Sequence, residues 1–115
     1  VVRQGNETQL ARTVRELAPW VDGFITDTFD PTTGAEGATG MTHDWDISRR
    51  LVELSPLPVI LAGGLTPDNV RAAIRHVRPA GVDAHTGVEA LDGRKDRDLV
   101  TRFVQEANQG FSEIA

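Results

Sequence analysis

Apolar residues recur along the chain at two alternating spacings, and the alternation predicts strands and helices in turn. The chain opens on Val1-Val2, which reads as a strand already in progress. Leu10, Val14 and Leu17 then fall at i, i+4 and i+7, with Asn6 placed as N-cap and Glu7 in the first turn, so an amphipathic helix is expected from Asn6 to Ala18, ended by Pro19. From Val21 to Ile25 a short apolar stretch rich in β-favouring residues runs into Thr26-Asp27-Thr28, the pattern of a buried strand with a polar end. Residues 29 to 43, with Pro31, Gly34, Gly37 and Gly40, predict a long loop of the kind that acts as a lid or binding segment. A second helix is expected from Asp44 or Asp46, with Ile47, Leu51, Val52 and Leu54 inward, ending before Pro56.

The unbroken run Pro58-Val59-Ile60-Leu61-Ala62, closed by Gly63-Gly64, has the composition of a parallel strand buried on both faces. Thr66-Pro67-Asp68 supplies an N-cap, an N1 proline and an acidic first turn for a helix that buries Val70, Ala73, Ile74 and Val77 and leaves Arg71, Arg75 and Arg78 in water. Gly81-Val82-Asp83-Ala84 forms the last strand, Thr86-Gly87 its exit, and Leu99, Val100, Phe103, Val104 and Ala107 mark a closing helix. Strands are thus expected near residues 1 to 4, 21 to 27, 58 to 62 and 81 to 85, all parallel.

Strand and helix alternate four times, which predicts an α/β protein with a parallel sheet. Four βα units are half of a TIM-type (β/α)8 barrel, and 115 residues are about half of the roughly 250 usual for that fold. Residues 1–115 are accordingly read as one domain or part of one. A doubly wound open sheet is the competing architecture, but the first strand lacks a Gly-rich dinucleotide turn.

Charge and composition narrow the chemistry. A formal charge of −5 argues against nucleic acid or an anionic membrane as partner, since both demand a clustered basic surface. With no cysteine there is neither a disulfide framework nor a thiolate metal site, and no His and carboxylate pair has ligand spacing on a helix, so no metal is expected. No apolar run approaches the roughly 20 residues of a membrane span. A soluble, cytoplasmic protein is the default expectation.

Gly63-Gly64, set between a strand and a capped helix, lets a ligand approach the backbone and offers amides to an anion, although a tight turn needing positive φ would look the same. His85-Thr86-Gly87 repeats the arrangement at the next strand end, where barrels commonly bind phosphate.

Five segments together resemble successive motifs of the phosphoribosylanthranilate isomerase family. They are Phe24-Ile25-Thr26-Asp27-Thr28; Gly37-Ala38-Thr39-Gly40 with Asp44-Trp45; Leu61-Ala62-Gly63-Gly64-Leu65-Thr66-Pro67-Asp68-Asn69-Val70; Gly81-Val82-Asp83-Ala84-His85-Thr86-Gly87-Val88-Glu89; and Gly93-Arg94-Lys95-Asp96. The resemblance covers nearly the whole chain and implies strands 5 to 8 of the barrel. It implies a cofactor-free Amadori rearrangement of an N-linked ribose phosphate in tryptophan biosynthesis. Asp27 falls on the family's general acid, and Gly63, Gly64, Thr86, Gly87 and the backbone of His85 on its phosphate cradle. Asp83 falls on a strand 8 carboxylate near the substrate, and the loop with Thr39 and Gly40 on a segment that closes over the site. Read from local sequence alone, Asp27 could instead cap the loop that follows it, Asp83 could equally be tied to neighbouring amides, and the long loop could be a plain connection.

Three departures from that family pattern stand out. The family's general base is a cysteine at the end of strand 1, and this chain has neither that strand nor a cysteine. The isolated chain is therefore expected to be inactive, its partner being the missing amino-terminal half-barrel or a second copy of itself. Histidines occupy positions 43 and 85, where the family usually has phenylalanine and serine, and Ala38 stands where a glycine is usual. His85 could carry a proton or donate to phosphate, or be a surface residue; His76, on the arginine-rich helix, is expected to be structural. The alternatives are a non-catalytic, phosphate-binding half-barrel or a self-associating barrel fragment.

Overall fold

The computed structural model describes Val2 and residues 5–27 and 38–115, with residues 38–44 described by their backbone alone. The elements in order are α1 (Glu7–Leu17), β1 (Phe24–Asp27), α2 (Ala38–Leu54), β2 (Val59–Ala62), α3 (Val70–Val77), β3 (Gly81–Val82) and α4 (Arg97–Ile114). The three strands form one parallel sheet in the order β1-β2-β3, with Phe24 opposite Val59, Asp27 opposite Ala62 and Leu61 opposite Val82. The α/β class and the parallel pairing agree with the sequence pattern. The expected strand near residues 1 to 4 falls largely outside the described residues. Val2 is buried and donates its amide to the Asp27 carbonyl, alongside β1.

Side chains alternate across each strand, and the helices cover one face of the sheet. Thr26, Val59 and Leu61 are buried on that face, where Leu61 joins Trp45 of α2, Val70, Ala73, Ile74 and Val77 of α3, and Phe103 and Ala107 of α4 in one core. Gly110 lets α4 approach α3 closely, because a Cβ there would lie 3.2 Å from Ile74. A second cluster joins Val2 and Val14 to Ile47 and Leu51, and a two-pronged Arg50–Glu7 ion pair ties α1 to α2 at its rim. On the opposite face Ile25 is 62% exposed and Ile60 40%, an apolar surface that no described element covers.

Several boundaries differ from expectation. β1 begins at Phe24 rather than Val21, because the proline-containing 3-10 turn Ala18–Trp20 intervenes after α1. Leu17, expected inward, is 44% exposed, while Val14 carries the burial. α2 starts at Ala38, so Thr39 and Gly40 lie in its first turn and not in a loop. Glycine costs a helix about 1 kcal/mol, and a 17-residue helix anchored by Ile47 and Leu51 outweighs that local preference. Residues 29 to 37 of the predicted loop lie outside the described residues. α4 buries Phe103 and Ala107, while Val100 and Val104, which with them mark this helix in the sequence, are 38% and 50% exposed. β3 ends at Val82, though the Asp83 amide still bonds the Leu61 carbonyl at 2.9 Å and extends the ladder by one rung.

Candidate functional site

The carboxyl ends of all three strands open into one cleft of about 510 Å³, whose walls include Asp27, Gly63, Gly64, Asp83, His85, Thr86 and Gly87. Seven residues singled out from the sequence therefore meet at one place. Parallel strands create this convergence, since every strand ends on the same side and delivers its following turn to the same edge. Asp27 pairs in register with Ala62, and Asp83 follows Val82 on the other side of the same central strand. The alternation that exposes Ile25 also places Asp27 on the open face, as expected. Asp27 and Asp83 thus flank Ala62 two strand spacings apart, about 9–10 Å.

The turn after β2 is shaped by two consecutive left-handed residues, Gly63 at φ 99° and Gly64 at φ 68°. Any other residue type would be strained there. Asn69 braces this turn from the start of α3: its Nδ2 donates to the Gly64 carbonyl at 2.9 Å and its Oδ1 accepts from the Thr66 amide at 2.7 Å. Thr66 in turn accepts the Asp68 amide on its Oγ1. Thr66 and Asn69 thus share the capping that the sequence assigned to Thr66 alone, and α3 begins after Asn69. The sequence signal for this was present, since an Asn three residues after a Thr repeats the reciprocal logic of a capping box.

The turn after β3 passes through His85 into the short 3-10 segment Thr86–Val88. Gly87 lies directly against the first turn, where a Cβ would sit 1.9 Å from the Leu65 carbonyl oxygen. The two turns are therefore packed backbone to backbone, and glycine is what permits it. Among the described residues, the amides of Gly64, Thr86 and Gly87 make no hydrogen bond. The His85 side chain contacts Lys95 and Glu89, two residues that the sequence reading did not assign to the site.

Thr39 and Gly40 do not form a loop over this cleft; their backbone belongs to the start of α2. His76 instead pairs with Asp46 and lies 6.0 Å from the Trp45 ring, on the outer side of the helices. A second cleft of about 760 Å³ lies on that outer side, lined by Arg49, Arg71, Arg75, His76, Arg78 and Glu113. Arg71 and Arg75 are engaged by Glu113, and Arg49 by Glu53 and the His76 carbonyl. Hydrogen bonding from Arg71, ahead of its charge, holds the Glu113 carboxyl below the usual carboxylate range.

A sequence profile of N-(5'-phosphoribosyl)anthranilate (PRA) isomerases matches residues 3–106. The chain is 55% identical over 107 residues to the N-(5'-phosphoribosyl)anthranilate isomerase of Haloferax volcanii, a match that covers 93% of this chain and 47% of that protein. The phosphoribosyl anthranilate isomerase of Thermotoga maritima superposes with a TM-score of 0.72 at 33% identity, covering 95% of this chain and 48% of the other. Another solved phosphoribosyl anthranilate isomerase, in complex with reduced 1-(o-carboxyphenylamino)-1-deoxyribulose 5-phosphate, is 29% identical with a TM-score of 0.55, covering 85% of this chain and 54% of the other. The chain spans about half the length of the relatives it matches.

Proposed function

Because this chain belongs to the N-(5'-phosphoribosyl)anthranilate isomerase family, we propose that it supplies strands 5 to 8 of a (β/α)8 barrel that isomerises N-(5'-phosphoribosyl)anthranilate in tryptophan biosynthesis. The observation that carries the reading is the convergence of Asp27, Asp83 and two glycine-bearing turns on one cleft at the carboxyl edge of a parallel sheet. In barrel enzymes that edge is where substrates bind. The bare face bearing Ile25 and Ile60 is apolar, as the interior of a closed barrel is, and the amino-terminal half-barrel is its partner in this reading. A helix layer confined to one face also favours a barrel over a doubly wound sheet, which needs helices on both.

The substrate's phosphate binds at the amides of Gly64, Thr86 and Gly87, with Gly63 and His85 completing the cradle. Backbone N–H groups at such turns recognise an anion without any need for a basic surface, which suits a chain of net charge −5. Asp27 acts as general acid. Its proton goes to the furanose ring oxygen as the C1–O bond breaks, while the anthranilate nitrogen lone pair forms the C=N bond of the open-chain iminium. Loss of the C2 proton then gives an enolamine, and its tautomerisation produces the ketone at C2. Asp83 lies on the other side of Ala62, where it can hold the sugar hydroxyls. No cofactor takes part. The C2 proton goes to a base outside this chain, which contains no cysteine.

The test joins this chain to the amino-terminal half of the Haloferax volcanii relative and follows product formation by chromatography. Turnover by the joined protein supports the reading. Asp27→Asn in it keeps the size of the side chain but removes the transferable proton, so kcat is expected to fall by about 10²-fold to 10⁴-fold, with binding of a phosphorylated product analogue retained. Near-normal kcat in that variant removes Asp27 from the chemistry.

A further inference from the structure

The hairpin that follows the cleft has no part in the reaction above, yet it delivers a charged side chain to the wall of the cradle. Gly93, at φ 85°, closes a tight turn in which its amide bonds the Ala90 carbonyl and the Ala90 amide bonds the Arg94 carbonyl. This places Lys95 opposite Glu89 in an antiparallel bridge, and the Asp96 amide locks onto the Val88 carbonyl at 2.8 Å. The Lys95 ammonium consequently meets three acceptors: His85 Nδ1 at 2.8 Å, the His85 carbonyl at 3.0 Å and Glu89 Oε1 at 3.2 Å. An ammonium has three N–H donors and no acceptor, so all three are spent and the group is fixed in place.

That geometry decides which nitrogen of His85 holds the proton. A nitrogen that accepts from an ammonium cannot itself carry a hydrogen, so Nδ1 must be bare and the ring proton must lie on Nε2. Glu89 Oε1 lies 3.8 Å from Nδ1, too far to take a hydrogen bond from it, and is engaged by Lys95. The Glu89 side chain that holds Lys95 is 17% exposed, that of Lys95 48% and that of His85 79%, so the carboxylate is sheltered while the ring remains accessible. His85 also lines the cleft beside Thr86 and Gly87.

We propose that Lys95 is a positioning residue that holds His85 in its Nε2–H tautomer, making the ring a fixed hydrogen-bond donor to a phosphate in the cleft. Without the ammonium, either nitrogen could present a lone pair to the anion, and a lone pair facing phosphate oxygen repels it. The inference rests on the reading of the cleft as an anion site.

The test uses the ¹⁵N-labelled chain and inorganic phosphate, with the His85 ring resonances assigned from their loss in His85→Gln. In the unmodified chain Nδ1 should resonate as an unprotonated nitrogen and Nε2 as a protonated one, and phosphate should shift the Nε2 signals together with the amides of Gly64, Thr86 and Gly87. Lys95→Met should give averaged signals of mixed tautomers and weaken phosphate binding by roughly three- to tenfold, the usual net reach of one hydrogen bond. Lys95→Arg, which keeps a donor, should restore the single tautomer. A proton on Nδ1 in the unmodified chain, or an unchanged tautomer and affinity in Lys95→Met, overturns the inference. Amide shifts without any change at His85 overturn it alone, whereas phosphate that moves none of the three amides overturns the anion site and the inference together.

Discussion

Adding a single methyl group at Gly87 tests how closely the two turns of the cleft depend on each other. The Cβ of an alanine would lie 1.9 Å from the Leu65 carbonyl oxygen, 2.9 Å from its carbon and 3.1 Å from Thr66 Cγ2. An ordinary contact begins near 3.4 Å, so the shortfall at the oxygen is about 1.5 Å. The obstacle is backbone, in a turn braced by Asn69 and continuous with α3, and it cannot rotate away. Overpacking costs typically 1–3 kcal/mol, and an overlap against rigid backbone belongs at the upper end, about 3 kcal/mol. For a chain of this size that lowers the thermal midpoint by about 10–15 °C. The same movement of more than an ångström spreads the cradle amides, so phosphate affinity should fall with stability. Gly93→Ala is the control: its φ of 85° imposes strain, but no atom lies within 4 Å of the added carbon, and left-handed strain alone costs about 1–2 kcal/mol. Circular dichroism melts of both variants and a phosphate titration of Gly87→Ala make the comparison. If Gly87→Ala costs no more than Gly93→Ala, or leaves phosphate binding intact, the two turns do not support each other as described.

Leu61→Ala removes a side chain with no solvent exposure from the centre of the larger core and should cost about 2–5 kcal/mol in urea denaturation; Leu91→Ala, at a fully exposed hairpin position, should stay within about 0.5 kcal/mol. Equal effects would mean that the core is placed wrongly. Arg78 ends α3 in the left-handed region, at φ 57° and ψ 52°, with its amide on the Ile74 carbonyl. Arg78→Gly keeps that bond and relieves the strain, so the variant should gain about 0.5–1 kcal/mol, and a loss of stability would contradict it. The hydrogen bond from Arg71 lowers the Glu113 carboxyl in the folded chain. A depressed folded value stabilises above the unfolded carboxylate's value and ceases to do so as pH falls through the folded one. The stability gap between the unmodified chain and Glu113→Gln should therefore be level at neutral pH and close in acid, at and below the ordinary carboxylate range. A gap that persists unchanged into strong acid would falsify the pairing.

Much of the site could be read without coordinates because its residues sit at strand ends, and strand ends are marked locally. The run from Val59 to Ala62 had to be a strand, although it is buried on one face only, Ile60 being 40% exposed where burial on both faces was expected. Gly63-Gly64 had to follow it as a turn, and the stripe of Val70, Ala73, Ile74 and Val77 had to face a core, where all four are buried. The alternation along β1 likewise placed Asp27 on the opposite side from Thr26. Thr39 and Gly40 were misread for the same reason that the others were read well. Their local preference is for a loop, and the packing of Ile47 and Leu51 that commits the segment to a helix lies two turns further on.

What the sequence determined by itself was periodicity and conformational permission: which segments are strands or helices, and which positions tolerate left-handed backbone or close approach. Tertiary structure alone decided the juxtapositions. That Gly87 abuts Leu65 and that Lys95 meets His85 through a hairpin cannot be deduced from spacing. The first depends on how far β2 and β3 are offset in register and on where the following turns are carried by helices packed on a shared core; the second depends on the path of the hairpin closed at Gly93. The physical reason is one of range. Dihedral preferences and amphipathic periods act over a few residues, whereas a contact between two turns about 20 residues apart is settled by the summed packing of everything between them.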